Sequence, residues 1–196
     1  MMFDDLVIEI NRYLEEQFLH DQARLKHILN VYRVALELGE IFGVDRKKVT
    51  IAALMHDSTK KMTFQENYTL ARIIYTEKLI HEIPKSCLHA FSAAALAKVK
   101  FKILDQEIID AIAYHCTGRS EMSVLEKVIF VADYIEESRK FVDSEIKESA
   151  KTNLDKSVYL IMKETENYLT KHNWPLAKIT QKAIEAYESH KEELND

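Results

Sequence analysis

The sequence predicts an all-α protein built from long helices. Apolar residues recur at the three- and four-residue spacing of one helix face along almost the whole chain of 196 residues. The chain has only 3 Gly and 2 Pro, which is too few to punctuate the many turns of a strand-rich fold. No segment shows the apolar and polar alternation of a half-buried strand. Because a chain of this length can bury one sizeable core, we expect a single helical domain.

The first three helices are expected to follow one another with short connections. A first helix covers about residues 4–18. A second covers about 21–42, with its apolar residues on one face and Gly43 just past its end as a C-terminal cap. A third begins after Asp45 and carries an apolar run as far as His56.

Capping residues and a proline divide the middle of the chain. The stretch TFQE, residues 63–66, has the form of a capping box and opens a further helix, and Pro84 stops what precedes it. Ser86 can cap the next helix. Asp105 can cap the helix after that, which Gly118 ends.

The last part of the chain continues the helical pattern. The stretch SVLE, residues 123–126, is a second capping box. Two more helices are expected over about 143–171 and 176–193, on either side of Trp174-Pro175.

The chain shows no boundary between separate domains. It contains no internal repeat, no low-complexity segment and no linker rich in Pro or Gly. We therefore expect one domain over residues 1–196, with a core over about 20–140 and a helical C-terminal extension over about 143–193.

Charge and composition exclude several classes of partner. The net charge of -5 argues against broad nucleic-acid binding and against an anionic membrane surface. The N-terminal stretch MMFDDLVIEI has acids where a signal peptide needs bases, and no apolar run approaches the roughly 18 residues that span a bilayer. We expect a cytoplasmic protein that binds neither nucleic acid nor membrane. Cys87 and Cys116 are distant in the sequence, which predicts neither a disulfide framework nor a thiolate zinc site.

Six titratable side chains interrupt the apolar faces of five of these helices. His27, for example, lies four residues before Val31, and Asp133 lies four residues after Ile129. Such groups are costly in a core unless they are paired or bind a metal, so we expect them to converge. The six residues are His27, His56, Asp57, His89, His115 and Asp133.

Imidazole and carboxylate ligands suit iron, manganese or zinc. Four histidines and two aspartates are too many for one tetrahedral site but suit two metals that share a carboxylate. The alternative is a set of unrelated buried polar pairs.

The order of these residues resembles the H…HD…D pattern of the HD-domain metal phosphohydrolases. His89 and His115 resemble the two extra ligands of the members that hold a pair of metals. Four longer strings are similar to the YqeK-type symmetrical dinucleoside tetraphosphate hydrolases, and the resemblance covers roughly residues 20–190. The strings are RLKH (24–27), LMHDSTK (54–60), LHAFSAAALA (88–97) and AYHCTGRSEMSVLEKVIFVADYIEESR (113–139). Departures are Cys116, where that group commonly has Thr, and IEESR, where it commonly has IEPGR.

This resemblance implies an HD-domain helical bundle and an enzymatic function. The expected reaction is symmetrical hydrolysis of a dinucleoside tetraphosphate, such as diadenosine tetraphosphate, into two nucleoside diphosphates by a metal-bound hydroxide. The expected cofactors are two divalent metal ions, iron first, with manganese or zinc as alternatives. The resemblance assigns His27, His56, Asp57 and Asp133 to one metal. It assigns His89 and His115 to the second metal, with Asp57 as the bridge.

An anionic substrate needs local cations, and several lie next to the candidate ligands. Lys60 follows Asp57 by three residues, and Arg24 precedes His27 by three. We expect Lys60 and Arg119 to act with Asp57 in catalysis. Substrate contacts are expected from Arg24, Lys60, Thr117, Gly118, Arg119 and Arg139.

Three alternatives remain open at this stage. The chain could hydrolyse a different nucleotide, or it could be a non-catalytic sensor that binds a metal and a nucleotide. The apolar C-terminal helices also allow a homodimer.

Overall fold

The fold is entirely helical over the residues that the computed structural model describes, 2–140 and 142–189. These residues form eleven α-helices and one short 3-10 helix, with no strand, which confirms the all-α prediction. None of the described helices is both long and apolar enough to cross a bilayer. The helices are α1 (Phe3–Gln17), α2 (Gln22–Ile41), α3 (Arg46–Met55), α4 (Phe64–Ala71), α5 (Glu77–Glu82), α6 (Leu88–Val99), α7 (Gln106–Tyr114), α8 (Val124–Ile135), α9 (Ser144–Ser149), α10 (Leu154–Lys171) and α11 (Lys178–Ser189).

The first three helices have nearly the bounds that the sequence predicts. Gly43 follows α2 with a φ of 67°, a left-handed conformation that glycine adopts without a steric penalty. The Asp45 carboxylate accepts hydrogen bonds from the amides of Lys47 and Lys48, and these bonds fix the start of α3. The end of the predicted helix 176–193 lies partly beyond residue 189, outside the described residues.

The helix expected between residue 63 and Pro84 is two helices. The predicted capping box is present, because Thr63 and Glu66 bond each other's backbone amides at the start of α4. The chain then turns, and the Thr76 hydroxyl accepts a hydrogen bond from the Leu79 amide to begin α5.

Two further sequence predictions need correction. Ser86 does not cap α6, because a 3-10 turn over Lys85–Cys87 precedes the helix and Ser86 lies inside it. The helix expected over 143–171 is divided into α9 and α10. Asn153 adopts an extended conformation there, and its side chain accepts a hydrogen bond from the Lys156 amide.

Two buried helices determine where the functional groups can lie. Helix α6 is buried along residues 88–97, where five alanines allow close approach of its neighbours α4 and α7. Helix α3 is buried from Val49 to Met55 and packs against α2, α7 and α8. Helix α10 packs on α8, α9 and α11 at the C-terminal side of the fold. The end of α3, where His56 and Asp57 follow, therefore lies in the interior of the molecule.

Candidate metal centre

The structure brings the six predicted side chains together from five helices. His27 lies on α2, His89 on α6 and Asp133 on α8, whereas His56-Asp57 and His115 directly follow the last residues of α3 and α7. The four imidazoles and Asp57 are buried, and the Asp133 side chain is 20% exposed. The rings of His27 and His115 lie 5.5 and 5.0 Å from that of His56.

Three of the histidines are oriented by the backbone. The Nδ1–H groups of His56, His89 and His115 donate to the carbonyl oxygen three residues earlier, at 2.7, 2.9 and 2.8 Å. For His56 and His115 these carbonyls belong to the last turn of a helix, where an intrahelical partner is missing. His27 instead donates from Nδ1 to the Glu136 carboxylate at 3.0 Å. Each Nε2 lone pair is thereby turned inward, as in histidines that bind metal.

The two carboxylate oxygens of Asp57 face different histidines. Oδ2 lies 3.7 Å from His27 Nε2 and 3.8 Å from His56 Nε2. Oδ1 lies 2.9 Å from His89 Nε2 and 3.6 Å from His115 Nε2. One buried carboxylate thus lies between two separate pairs of imidazole nitrogens.

Asp133 extends the group around His27. Its Oδ1 lies 3.1 Å from His27 Nε2, the nitrogen that also faces Asp57. Burial alone raises the pKa of Asp133, but the adjacent His27 and the other nearby imidazoles outweigh it and hold the pKa well below its usual range. Asp133 is therefore an ionised oxygen donor at neutral pH.

His56 and Asp57 have the protonation states that metal ligands need. Burial lowers the pKa of His56 to about 4, so this imidazole is neutral at pH 7. Burial alone raises the pKa of Asp57, but the surrounding His56, His115, His89 and Lys60 outweigh it, and the pKa is well below its usual range. Three buried atoms of this site, His27 Nε2, His56 Nε2 and Asp57 Oδ1, have no hydrogen-bond partner among the described residues. A divalent cation can bind the lone pairs of all three atoms.

Comparison with known proteins identifies the family. The HD domain model matches residues 24–138 of the chain. The chain belongs to the HD-domain family. Membership implies dependence on a divalent metal, and the donor set above fits that requirement. The prediction of an HD-domain helical bundle is therefore confirmed.

Relatives of this HD-domain protein extend over most of its length. A protein of Bacillus subtilis (strain 168) is 40% identical over 161 residues, which are 79% of this chain and 84% of that one. A protein of Staphylococcus aureus is 32% identical over 89% of this chain and 92% of its own length. Both are named symmetrical bis(5'-nucleosyl)-tetraphosphatase. A crystal structure from Clostridium acetobutylicum, described as an HD superfamily hydrolase involved in NAD metabolism, has a TM-score of 0.86 and 29% identity, covering 97% of this chain and 98% of that one.

Glu136 is a residue of the HD domain that sequence reasoning missed. It is fully buried, it accepts the Nδ1–H of His27, and its other oxygen accepts a hydrogen bond from Asn30 at 2.9 Å. Burial raises the pKa of Glu136, but hydrogen bonds from the side chain and amide of Ser138 outweigh it and lower the pKa to about 2. The sequence feature that could have identified Glu136 is its position three residues after the candidate ligand Asp133.

Replacing Glu136 by Gln is expected to weaken metal binding at the His27 side of the centre by about 10- to 100-fold. The amide keeps the size of the side chain but loses the charge that holds the His27 ring and raises the basicity of Nε2. Metal titration followed by calorimetry measures the effect. Glu137→Gln is the matched control, because the neighbouring Glu137 is exposed and pairs with Arg33 on the surface. Equal metal affinity in both variants would contradict this role of Glu136.

Three of the predicted substrate cations lie beside the carboxylates of the centre. Arg24 Nη1 lies 2.6 Å from Asp57 Oδ2. Lys60 Nζ lies 3.7 Å from Asp57 Oδ1 and 3.0 Å from His89 Nε2. Arg139 Nη2 lies 3.5 Å from Asp133 Oδ1. Each of the three side chains is roughly one third exposed, which leaves part of it accessible to an anion.

Arg119 points toward other carboxylates. Its Nε lies 2.7 Å from Glu126 Oε1, its Nη2 lies 3.0 Å from Asp110 Oδ2, and its guanidinium stacks on Tyr114 at 4.6 Å from the ring centroid. These contacts join the end of α7 to the start of α8. The prediction that Arg119 contacts substrate and takes part in catalysis stays a prediction.

Thr117 and Gly118 are buried in the turn after α7. The Thr117 carbonyl accepts a hydrogen bond from Thr180 at 2.8 Å, and this bond ties the turn to α11. Helix α7 ends at Tyr114, earlier than predicted, and Gly118 follows with a φ of 60°. Both residues pack against other parts of the protein. Their predicted contacts with substrate stay predictions.

Cys116 lies beside two of the histidines. Its Sγ is 3.4 Å from His89 Nε2 and 3.3 Å from His115 Nε2. The sequence argument excluded thiolate ligands because the two cysteines are distant along the chain. That exclusion does not extend to a site in which one cysteine lies beside two histidines.

Proposed function

We propose that this HD-domain hydrolase cleaves dinucleoside tetraphosphates, diadenosine tetraphosphate first, symmetrically into two nucleoside diphosphates. The observation that carries the proposal is the position of Asp57, whose two oxygens each face a separate pair of imidazole nitrogens. A carboxylate between two ligand sets is typical of binuclear phosphoryl-transfer sites. The substrate is chosen because the relatives are named symmetrical bis(5'-nucleosyl)-tetraphosphatase.

The proposed cofactor is a pair of divalent ions, with iron as the first candidate and manganese or zinc as alternatives. His27, His56 and Asp133 would hold one ion, His89 and His115 the other, and Asp57 both. When bound, such a pair lowers the pKa of a water molecule and polarises phosphoryl oxygens.

A groove next to His89 suits the remaining part of a nucleotide. It has a volume of about 300 Å³, and its lining includes Lys60, Lys85 and the exposed ring of Phe64. Lys85 Nζ lies 5.4 Å from the centre of the Phe64 ring. Two ammonium groups beside an accessible aromatic ring offer charge to phosphates and a stacking face to a base. A larger cleft of about 640 Å³ between α1 and α3 includes none of the six candidate ligands.

The reaction consumes one water molecule and breaks the central phosphoanhydride bond. The water oxygen bonds to the phosphorus on one side of the central bridge, and the bridging oxygen leaves with the second nucleoside diphosphate. Lys60, at the boundary between the centre and the groove, is proposed to neutralise the charge on the leaving diphosphate. Arg24 and Arg139 are proposed to orient the tetraphosphate from the side of Asp57 and Asp133.

The test is product identification with purified protein loaded anaerobically with iron or manganese. We expect two equivalents of ADP for each diadenosine tetraphosphate consumed, measured by anion-exchange chromatography. Formation of ATP and AMP, or an absence of turnover, would overturn the proposal. Mononucleotides, a cyclic nucleotide and NAD⁺ complete the panel, because preferred cleavage of one of these would favour the alternative phosphohydrolase. Tight nucleotide binding without turnover would favour the sensor.

A further inference from the structure

We propose that Cys116 supplies its sulfur as a ligand to the metal held by His89, His115 and Asp57. This inference rests on the binuclear centre of the proposed function, and it goes beyond that centre by adding a thiolate to a donor set of imidazoles and carboxylates. It also makes the two metal positions chemically different, because only one of them has a sulfur ligand.

The distances among the four donor atoms fit a common cation. Around an ion of the size of zinc, tetrahedral nitrogen or oxygen ligands are separated by about 3.3 Å, and nitrogen and sulfur ligands by about 3.6 Å. Cys116 Sγ lies 3.3 and 3.4 Å from the Nε2 atoms of His115 and His89. Asp57 Oδ1 lies 3.6 and 2.9 Å from the same two nitrogens. These four separations, from the sulfur and from the carboxylate oxygen to each of the two ring nitrogens, match four of the six edges of one tetrahedron to within about half an ångström.

The orientation of the donors supports the same conclusion. His89 and His115 each donate from Nδ1 to a backbone carbonyl, which turns the Nε2 lone pairs toward the sulfur. Asp57 is 2% exposed, and its Oδ1 has no hydrogen-bond partner among the described residues. The Lys60 ammonium, 3.7 Å away, supplies charge but no hydrogen bond, so this buried oxygen keeps a lone pair for a cation. The thiol is thus one of four groups arranged around a point that favours a cation.

The Lys60 side chain is expected to move when the metal binds. Its ammonium lies 3.0 Å from His89 Nε2, so an ion bound by that nitrogen repels it. The side chain is one third exposed and borders the groove described above, so it has space to turn toward a bound phosphate. Metal binding at this position and substrate binding in the groove are then coupled through Lys60.

A thiolate changes which ions this position selects. On metal binding, the Cys116 thiol loses its proton to solvent and the sulfur forms a bond to the ion. Soft sulfur favours zinc, iron or cobalt over manganese and magnesium, which favour oxygen. We therefore expect the His89 position to be the more selective of the two.

Cobalt(II) and zinc are the probes for this ligand. The wild-type protein with two cobalt ions is expected to show thiolate-to-cobalt charge-transfer absorption in the near ultraviolet, and Cys116→Ser is expected to lose it. X-ray absorption of the zinc-loaded protein should show one sulfur neighbour per two zinc ions at about 2.3 Å. Cys116→Ser should also bind the second zinc ion about 10-fold or more weakly.

Cys87→Ser is the matched control, because Cys87 is the chain's other cysteine and its thiol contacts that of Cys116. It should retain both the absorption band and the sulfur neighbour. Two zinc ions with only nitrogen and oxygen neighbours in the wild type would overturn the inference, and so would a band that persists in Cys116→Ser. If Cys116→Ser does not fold, the wild-type X-ray absorption decides alone.

The outcomes separate this inference from the proposed function. A sulfur neighbour in a protein that hydrolyses no dinucleoside polyphosphate supports the ligand and overturns the function. Symmetrical hydrolysis by a centre without a sulfur neighbour supports the function and overturns the ligand. A wild-type protein that binds no metal overturns both.

Discussion

Replacing Asp57 by Asn is expected to lower kcat/KM by about 10³-fold or more and to reduce the bound metal from the two ions per chain that we propose to one or fewer. Asp57 is the only described residue with one oxygen toward His27 and His56 and the other toward His89 and His115. Asn retains the size of the side chain but presents one oxygen and one amide donor. One of the two ligand sets must therefore face an NH₂ group.

The energetic reason is the charge of the site. Arg24 lies 2.6 Å from Asp57 and Lys60 lies 3.7 Å from it, so the carboxylate is the negative charge that two cations and four imidazoles share. Removing a buried charge leaves its partners uncompensated, and a divalent cation adds to the unfavourable positive potential. Asn at this position thus opposes metal binding twice, through a lost ligand and through electrostatic repulsion.

Elemental analysis and steady-state kinetics test this prediction together. Asp155→Asn is the matched control, because Asp155 is a half-exposed carboxylate that pairs with Lys127 and is not one of the six candidate ligands. That variant should keep two metal ions and its activity within about twofold. An Asp57→Asn protein that binds two ions and turns over normally would show that the bridging role is wrong.

Local capping chemistry explains why much of the fold could be predicted. Asp45 and the Thr63 capping box act within one helical turn, so their effect is visible in a few residues of sequence. The breaks at Thr76 and Asn153 are also local, but each lies in a segment whose apolar spacing continues across the break. The apolar periodicity therefore predicted one helix in each of two places where the structure has two.

In the candidate site, too, some residues could be predicted from the sequence and others could not. His27, Asp57 and the other four titratable residues could be found because each interrupts an apolar helix face, where burial is costly. Glu136 could not be found in this way, because it lies at the C-terminal end of α8 and contacts His27 across 109 positions of sequence. Cys116 was missed because two cysteines that are distant in the sequence predict no thiolate site. Each of the two residues lies close in sequence to a candidate ligand, but tertiary contact brings Glu136 to His27 and Cys116 to His89.

Proximity in sequence was a weaker guide to the substrate cations. Lys60 and Arg119 each lie within four residues of a candidate ligand, yet Lys60 points at the centre and Arg119 pairs with Glu126 and Asp110. Side-chain direction at a helix end depends on the turn that follows, which periodicity does not describe. The turn after α7 is such a case, and Gly118 determines its path.

Replacing Gly118 by Ala is expected to destabilise the fold by about 2–4 kcal/mol. A φ of 60° costs a non-glycine residue about 1–2 kcal/mol. An added Cβ would also lie 2.2 Å from Met162 Cε in the buried contact between the turn and α10. Because Cε is the end of a flexible side chain that can shift, we expect a cost in the lower part of the overpacking range, about 1–2 kcal/mol. The sum is a large fraction of the 5–15 kcal/mol by which a typical domain is stable.

Two further variants separate the backbone cost from the steric cost. Gly43 has a similar φ of 67° but nothing within 4 Å of an added Cβ, so Gly43→Ala should cost only the backbone part, about 1–2 kcal/mol. In a Met162→Leu background, which lacks the terminal methyl group, Gly118→Ala should cost about 1 kcal/mol less than in the wild type. Urea unfolding of the wild type, the three single variants and the double variant measures these costs. If Gly118→Ala instead unfolds like the wild type while kcat/KM falls sharply, the residue acts on substrate as the sequence predicted, and its packing against α10 is incidental.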